Sequence, residues 1–245
     1  MYNMNSVSFI TLTNKAYVPL TLNCIKSLEI INTSQKLCCY CIDKDSFLQL
    51  TDNYDPSLVY MVPDIKYICS DLPKFRQQNW NKVVINKFNI IYDNLQNYEY
   101  VLFTDGDIVY EKDGFVEYCI EKIEKDNVDM LIQNDSANDS ICNNLCSGFM
   151  FIKSCEKTKN FFNPDKIDIS KFECDQIYIN HEYRKFNIKL SVLPVALFPN
   201  GGYYKKHQDI KDNYLLHFNW CGGENKIRWM KNCNKWVGEI QPPPP

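Results

Sequence analysis

The stretch YVLFTDGDIVY, Tyr100 to Tyr110, sets an unbroken apolar run directly against two carboxylates with one glycine between them. A short continuous apolar run reads as a strand covered on both faces, the kind that makes up a parallel sheet flanked by helices. In open α/β sheets ligands collect beyond the carboxyl ends of the strands, and Asp105 and Asp107 stand at such an end. Two carboxylates this close repel one another unless positive charge lies beside them, and a divalent cation is the simplest remedy. Oxygen ligands suit Mg2+ or Mn2+, whose shells are commonly completed by substrate phosphates and water. Gly106 is expected to let the backbone turn so that both side chains face one ligand. The plainer alternative is a solvated acidic turn after a strand.

Outward from this stretch, strands and helices alternate. Strands are expected at Val7 to Leu12, Leu37 to Ile42, Tyr100 to Phe103, Met130 to Gln133, Phe149 to Lys153 and Tyr214 to Phe218. Helices are expected from Pro19 to Ile31, Val116 to Lys125 and Gln176 to Arg184, and from Trp80 to Leu95, where Val84, Phe88, Ile91 and Leu95 fall on one face. Such alternation implies βαβ units around a mainly parallel sheet. The 245 residues suit one α/β domain over residues 1–238, with a nucleotide-binding part over about 1–110 and an acceptor and catalytic part over about 111–238. Residues 239–245, with their QPPPP end, read as a Pro-rich tail or linker.

Composition excludes several classes of function. A net charge of −3 with both signs interspersed gives no electrostatic footprint for nucleic acid, and no stretch approaches the ~20 apolar residues of a membrane span. The N-terminus, MYNMNSVSF, lacks the pattern of a secretion signal, so the chain is expected to be soluble and cytoplasmic. Its twelve cysteines are scattered through apolar strands (Cys38, Cys39, Cys41) and helices (Cys119, Cys155), which reads as reduced thiols rather than a disulfide framework. CNNLC, Cys142 to Cys146, lacks the second pair that a zinc site needs.

FTDGDIVY resembles the DxD motif of nucleotide-sugar-dependent glycosyltransferases of the GT-A fold, in particular the nucleotide-diphospho-sugar transferases similar to the plant cell-wall and glycogenin-like retaining enzymes. Order strengthens the resemblance: WNKVVINKFNIIYDNL precedes the motif, and LCSGFMFIK, FECDQIYIN and LLHFNWCGGENKIRWM follow it. The resemblance implies a GT-A, Rossmann-like domain that moves a sugar from a nucleotide-diphosphate donor, a UDP-sugar, to a glycan or glycoprotein hydroxyl. It implies metal ligation by Asp105, Asp107 and His217. Gly222 and Gly223 would allow close backbone approach to the diphosphate, for which Lys226 supplies a charge. ITLTNKAYVP resembles the nucleoside pocket, with Thr11, Thr13 and Asn14 as hydrogen-bonding groups and Tyr17 stacking on the base. Lys87 corresponds to a basic residue that reaches the donor, Ser147 and Gly148 to a loop against the donor sugar, and Asp175 and Gln176 to an Asp-Gln pair beside the reacting carbon. Asp43 stands at a strand end and either faces the nucleotide or solvates that end. His181 and His207 read as surface residues.

Bland alternatives accompany each of these: a packed histidine, a solvated or snorkelling lysine, a helix N-terminal Asp175, an ordinary turn after the first strand. Two other functions fit parts of the sequence. DGDIV also fits the nucleophile motif of haloacid-dehalogenase-type phosphatases, with Asp105 phosphorylated, although that motif normally lies on the first strand. A non-catalytic nucleotide-sugar-binding protein is the other.

Overall fold

The protein is described here by a computed structural model covering residues 6–62, 80–138, 144–168 and 171–237. The Pro-rich tail and Cys142 of the CNNLC stretch lie outside these residues, as do the side chains of residues 80–85 at the start of the helix that precedes the DGD motif.

Strands form at Val7–Thr13 (β1), Cys38–Cys41 (β2), Val59–Met61 (β3), Tyr100–Thr104 (β4), Ile108–Tyr110 (β5), Met130–Asn134 (β6), Leu145–Lys153 (β7), Leu190–Val192 (β8) and Leu215–His217 (β9). Helices form at Val18–Ile30 (α1), Lys44–Asn53 (α2), Trp80–Leu95 (α3), Phe115–Asp126 (α4), Glu156–Phe162 (α5), Asp175–Glu182 (α6), Gly201–Lys206 (α7) and Glu224–Asn232 (α8). Seven strands make one sheet in the order β3-β2-β1-β4-β7-β6-β8. The β1-β2, β2-β3, β1-β4 and β6-β8 pairings are parallel, whereas β7 runs antiparallel to both β4 and β6.

Side chains of successive strand residues point to opposite faces, and here both faces are cores. Phe9, Leu102, Phe149 and Phe151 pack with α1 and α4 on one side, while Ile10, Val101, Phe103, Met150 and Ile152 pack with α3, α5 and α6 on the other. All of β4 is buried, which accounts for its unbroken apolar sequence. Burying a side chain such as Phe103 or Leu102 contributes about 1.5–3 kcal/mol each. The expected helix at Trp80 to Leu95 has those bounds, and Phe88, Ile91 and Leu95 are fully buried on its inner face.

Local geometry adds two features that the sequence leaves unassigned and corrects one expectation. The IVY that ends the opening stretch does not continue β4. It is a separate strand, β5, which leaves the large sheet and pairs antiparallel with β9, placing Ile108 opposite His217. The segment after Gly223 is helical from Glu224 rather than a loop, so Lys226 lies in the first turn of α8. Cys155 caps α5 instead of lying within a helix, with its side chain accepting from the backbone of Thr158. The three-residue strands β3 and β8 and the helices α2, α5 and α7 lie in segments whose sequence periodicity is too brief to announce them.

A third apolar cluster, formed by Leu20, Val109, Tyr204, Leu216, Phe218 and Met230, locks the β5-β9 ribbon against α1, α7 and α8. All ten cysteines among the described residues are free thiols. No described helix is long and apolar enough to cross a membrane.

Candidate active site at the carboxyl end of β4

The DGD turn is where the two sheets part, and its backbone is tied to both. Asp105 N–H donates to the Gly148 carbonyl on β7 at 2.7 Å, and the Asp107 carbonyl accepts from Phe218 N–H at 3.0 Å. The β5-β9 register therefore delivers His217 to the carboxylates. Its Nε2 lies 3.3 Å from Asp107 Oδ1 and 4.0 Å from Asp105 Oδ2. One ligand atom from each of Asp105, Asp107 and His217 falls within a 4.8 Å cluster, a donor set of two carboxylates and an imidazole that suits a divalent cation.

The imidazole is oriented from behind. Gln133, fully buried on β6 beside a register shift between Ile132 and Gln133, spends its Nε2 on the Phe198 and Pro199 carbonyls at 3.0 and 3.2 Å. Its Oε1 must then face His217 Nδ1, 2.7 Å away, so Nδ1 carries a proton and Nε2 is the atom presented to the carboxylates. Burial alone would depress the imidazole, but the Asp107 carboxylate, with Cys146 beside it, holds it up at about 10. The position thus favours a cation, and a metal bound at Nε2 would take the place of that proton.

Two lysines complete the charge balance. Lys87 on α3 lies 3.3 Å from Asp105 and 2.6 Å from Asp175, and Lys226 on α8 pairs with Asp107. Both are buried, and although burial opposes their charge the facing carboxylates hold each well above the usual lysine range. Burial pushes Asp105 up against the pull of Lys87. For Asp107 burial acts in the same upward sense, but Lys226 and His217 outweigh it and hold the carboxyl well below its usual range.

Around this centre the remaining expected residues fall as follows. Ser147 offers its carbonyl to Lys87 Nζ at 3.3 Å. Tyr17 is the aromatic wall under Lys226, whose Nζ stands 5.9 Å from the ring centre. Gln176 donates to Asp135 at 3.0 Å, one residue on from the Lys87-bound Asp175. Asn14 accepts from Tyr17 N–H, and the buried Thr13 hydroxyl accepts from Thr21. Thr11 Oγ1 is buried without a hydrogen-bond partner. Asp43 has a structural task, capping α2 through Ser46 N–H and holding Lys15 N–H. Gly223, at φ 56°, opens α8. His181 and His207 are exposed.

Two glycines act differently from expectation. Gly106 has no positive φ; a Cβ there would lie 2.6 Å from Thr21 Oγ1, so its smallness lets α1 approach the DGD turn. At Gly148 a Cβ would come 2.3 Å from His217 Cε1 and 2.7 Å from Asp105 Oδ2. Gly148 therefore vacates the volume occupied by two of the three candidate ligands.

Sequence reasoning missed Gln133 and Asp135. Asp135 directly follows β6 as Asp105 follows β4, so the same rule applied to the carboxyl end of that strand would have found it. Its carboxylate gathers Gln176, Asn144, Asn219 and the Trp220 indole N–H.

The seven-stranded, mostly parallel sheet flanked by helices is the fold of GT-A glycosyltransferases. A glycosyltransferase involved in the glycosylation of the major capsid of PBCV-1 superposes with a TM-score of 0.57 at 10% identity, covering 92% of this chain and 98% of that one. The galactosyltransferase LgtC, solved with donor and acceptor sugar analogues, gives a TM-score of 0.54 at 8% identity over 96% of this chain and 98% of its own. At these identities the likeness is one of fold. The chain belongs to the nucleotide-diphospho-sugar transferase family, whose model matches residues 33–230. The UDP-galactose:fucoside alpha-3-galactosyltransferase of Dictyostelium discoideum is 27% identical over 160 residues, 53% of this chain. This chain spans about a quarter of that relative's length, 24%.

The tight fit at Gly148 makes a direct prediction. Gly148→Ala should weaken Mn2+ binding about tenfold or more in a calorimetric titration, with far-UV circular dichroism unchanged. Equal affinity in the two proteins would show that Asp105 and His217 do not act together on the ion.

Proposed function

We propose that this chain is a metal-dependent glycosyltransferase that moves a sugar from a UDP-sugar to a hydroxyl of a glycan or glycoprotein with retention of anomeric configuration. The observation that carries the reading is the meeting of Asp105, Asp107 and His217 at the carboxyl end of β4, in a chain of the nucleotide-diphospho-sugar transferase family. The name of the Dictyostelium relative supports UDP as the nucleotide and galactose as a donor sugar worth testing first.

Asp105, Asp107 and His217 would hold Mn2+ or Mg2+, which supplies Lewis-acid stabilisation of the leaving diphosphate. Lys226, paired with Asp107 of the cluster, provides a further cation for the negative charge that develops as the sugar departs. Tyr17 beneath it offers an aromatic face to the base, and Thr11, Thr13 and Asn14 line the exit of β1 where the nucleoside would lie. Ser147 and Gly148 border the donor sugar. Lys87 neutralises Asp105 and Asp175 together, so the two carboxylates can stand close to an anionic donor without expelling it. Asp175 is engaged by an ammonium at 2.6 Å rather than left as a free base, which suits a retaining reaction with Gln176 beside the anomeric carbon.

The phosphatase alternative loses its support, since Asp105 follows the fourth strand, pairs with His217 and Lys87, and belongs to a family defined by sugar transfer.

In thermal-shift titrations UDP should stabilise the protein only when Mn2+ or Mg2+ is present, because the diphosphate would attach through the ion held by Asp105, Asp107 and His217. Asp107→Asn should abolish that shift and Lys226→Ala should reduce it. An equal shift in chelator would remove the metal from the account. With a UDP-α-sugar as donor, the anomeric proton of the product should report an α linkage by NMR. A β linkage would overturn retention and promote Asp175 to general base.

A further inference from the structure

Trp220 follows β9 by three residues and is the one large residue among the described chain with a left-handed backbone, φ 64°. The other non-glycine residues with positive φ are all Asn or Asp, which tolerate that region; for an indole residue it costs about 1 kcal/mol or more. The surroundings hold it there. Lys205 Nζ donates to the Trp220 carbonyl at 3.2 Å, and Gly201 N–H donates to the neighbouring Asn219 side chain at 2.7 Å. The indole lies so close over Gly202 that a Cβ there would come within 2.9 Å of three ring carbons. Yet this fixed ring remains 53% exposed. A bulky apolar side chain held in a strained backbone and still facing water gains nothing for the core, and such outliers mark sites where the geometry serves a ligand.

Its anchor points at the reaction centre. Asp135 Oδ1 accepts from Trp220 Nε1 at 2.9 Å and from Asn219 Nδ2 at 3.0 Å, while Oδ2 accepts from Gln176 Nε2 at 3.0 Å and Asn144 Nδ2 at 2.9 Å. Four donors use the roughly four lone-pair directions of a carboxylate, so Asp135 is a positioning residue that sets the indole and Gln176 at a fixed mutual distance. Asn219 also reaches Cys146 Sγ, 3.6 Å away, whose sulfur lies 3.7 Å from His217 Nδ1. The exposed indole is thus one carboxylate from Gln176 and part of the loop that leaves the candidate metal ligand.

We propose that the exposed face of Trp220 is the acceptor subsite, on which a pyranose ring of the acceptor glycan stacks. A pyranose presents a patch of C–H groups on one face and hydroxyls at its rim. A rigid aromatic face suits the first, at low entropic cost because the ring is already immobilised. The amide groups of Asn219 and Gln176 lie at the edge, where a rim hydroxyl is directed toward the donor. This inference rests on the glycosyltransferase reading for the identity of the ligand, but not for its detection.

The test uses the full chain, Mn2+, a UDP-sugar and the methyl glycosides of galactose, glucose, mannose and fucose as acceptors. Trp220→Gly removes the ring while accepting φ 64° without strain, and Trp220→Phe restores a ring without the N–H. Trp220→Gly should raise KM for the best glycoside about tenfold or more, with a smaller change in kcat, and Trp220→Phe should recover much of the loss. UDP affinity in the presence of Mn2+ should differ by less than about twofold, as the ring that stacks on the indole is the acceptor's and not part of the donor. Independently of turnover, that glycoside should change the indole fluorescence of the wild-type chain and not of Trp220→Gly. An unchanged KM in Trp220→Gly, no fluorescence response in the wild type, or a response that survives in Trp220→Gly each overturns the subsite. A chain that shows the fluorescence response but transfers no sugar keeps the subsite and overturns the transferase reading.

Discussion

Two carboxylates at the end of one buried strand require positive charge from elsewhere in the chain, and the architecture around β4 meets that requirement. Asp107 is 2% exposed, and an uncompensated ion so buried would cost several kcal/mol. Its partners come from two distant elements: His217 from β9 and Lys226 from α8. Asp105 draws on Lys87 from α3, which it shares with Asp175 at the start of α6. Removing any one cation leaves a buried carboxylate short of a partner, so the site and the packing of these elements are not separable.

The DGD turn also divides the molecule. Before it the chain lays down β1 to β4 of the seven-stranded sheet; directly after it β5 peels away to pair with β9, and β6, β7 and β8 then return to the large sheet. The small sheet places His217 against the acids of the large one, and the third apolar cluster fixes its position from α1, α7 and α8. Close approach at this junction is possible because Gly106 admits α1 and Gly148 admits His217. Both glycines are needed for what passes over them rather than for an unusual backbone.

The strand and its acids were legible because local signals coincide: a run buried on both faces must be apolar throughout, and charge can appear only where the strand leaves the sheet. The helical face of Phe88, Ile91 and Leu95 was legible for the same reason, a periodicity sustained over four turns. Family motifs supplied His217 and Lys226. What could not be read depends on contacts between segments far apart in sequence. Ile108 to Tyr110 carry no strand assignment in the sequence, since only pairing with β9 makes these three residues a strand. Gln133 owes its role to a side chain 84 positions away, and Gly148 to one that crosses it from β9. The run after Gly223 has loop-like glycines at its start and reveals its helix only through packing of Met230 and Trp229 below.

The central claim is that Asp105, Asp107 and His217 act as one cation site whose shell is completed by a diphosphate. Pulsed electron paramagnetic resonance of Mn2+ bound to the full chain with UDP tests it most directly, because the ion reports the nuclei attached to it. The account predicts a nitrogen coupling from one imidazole, lost in His217→Gln, together with phosphorus couplings from the diphosphate. A spectrum with phosphorus but no protein nitrogen, or a nitrogen signal that persists in His217→Gln, would contradict it.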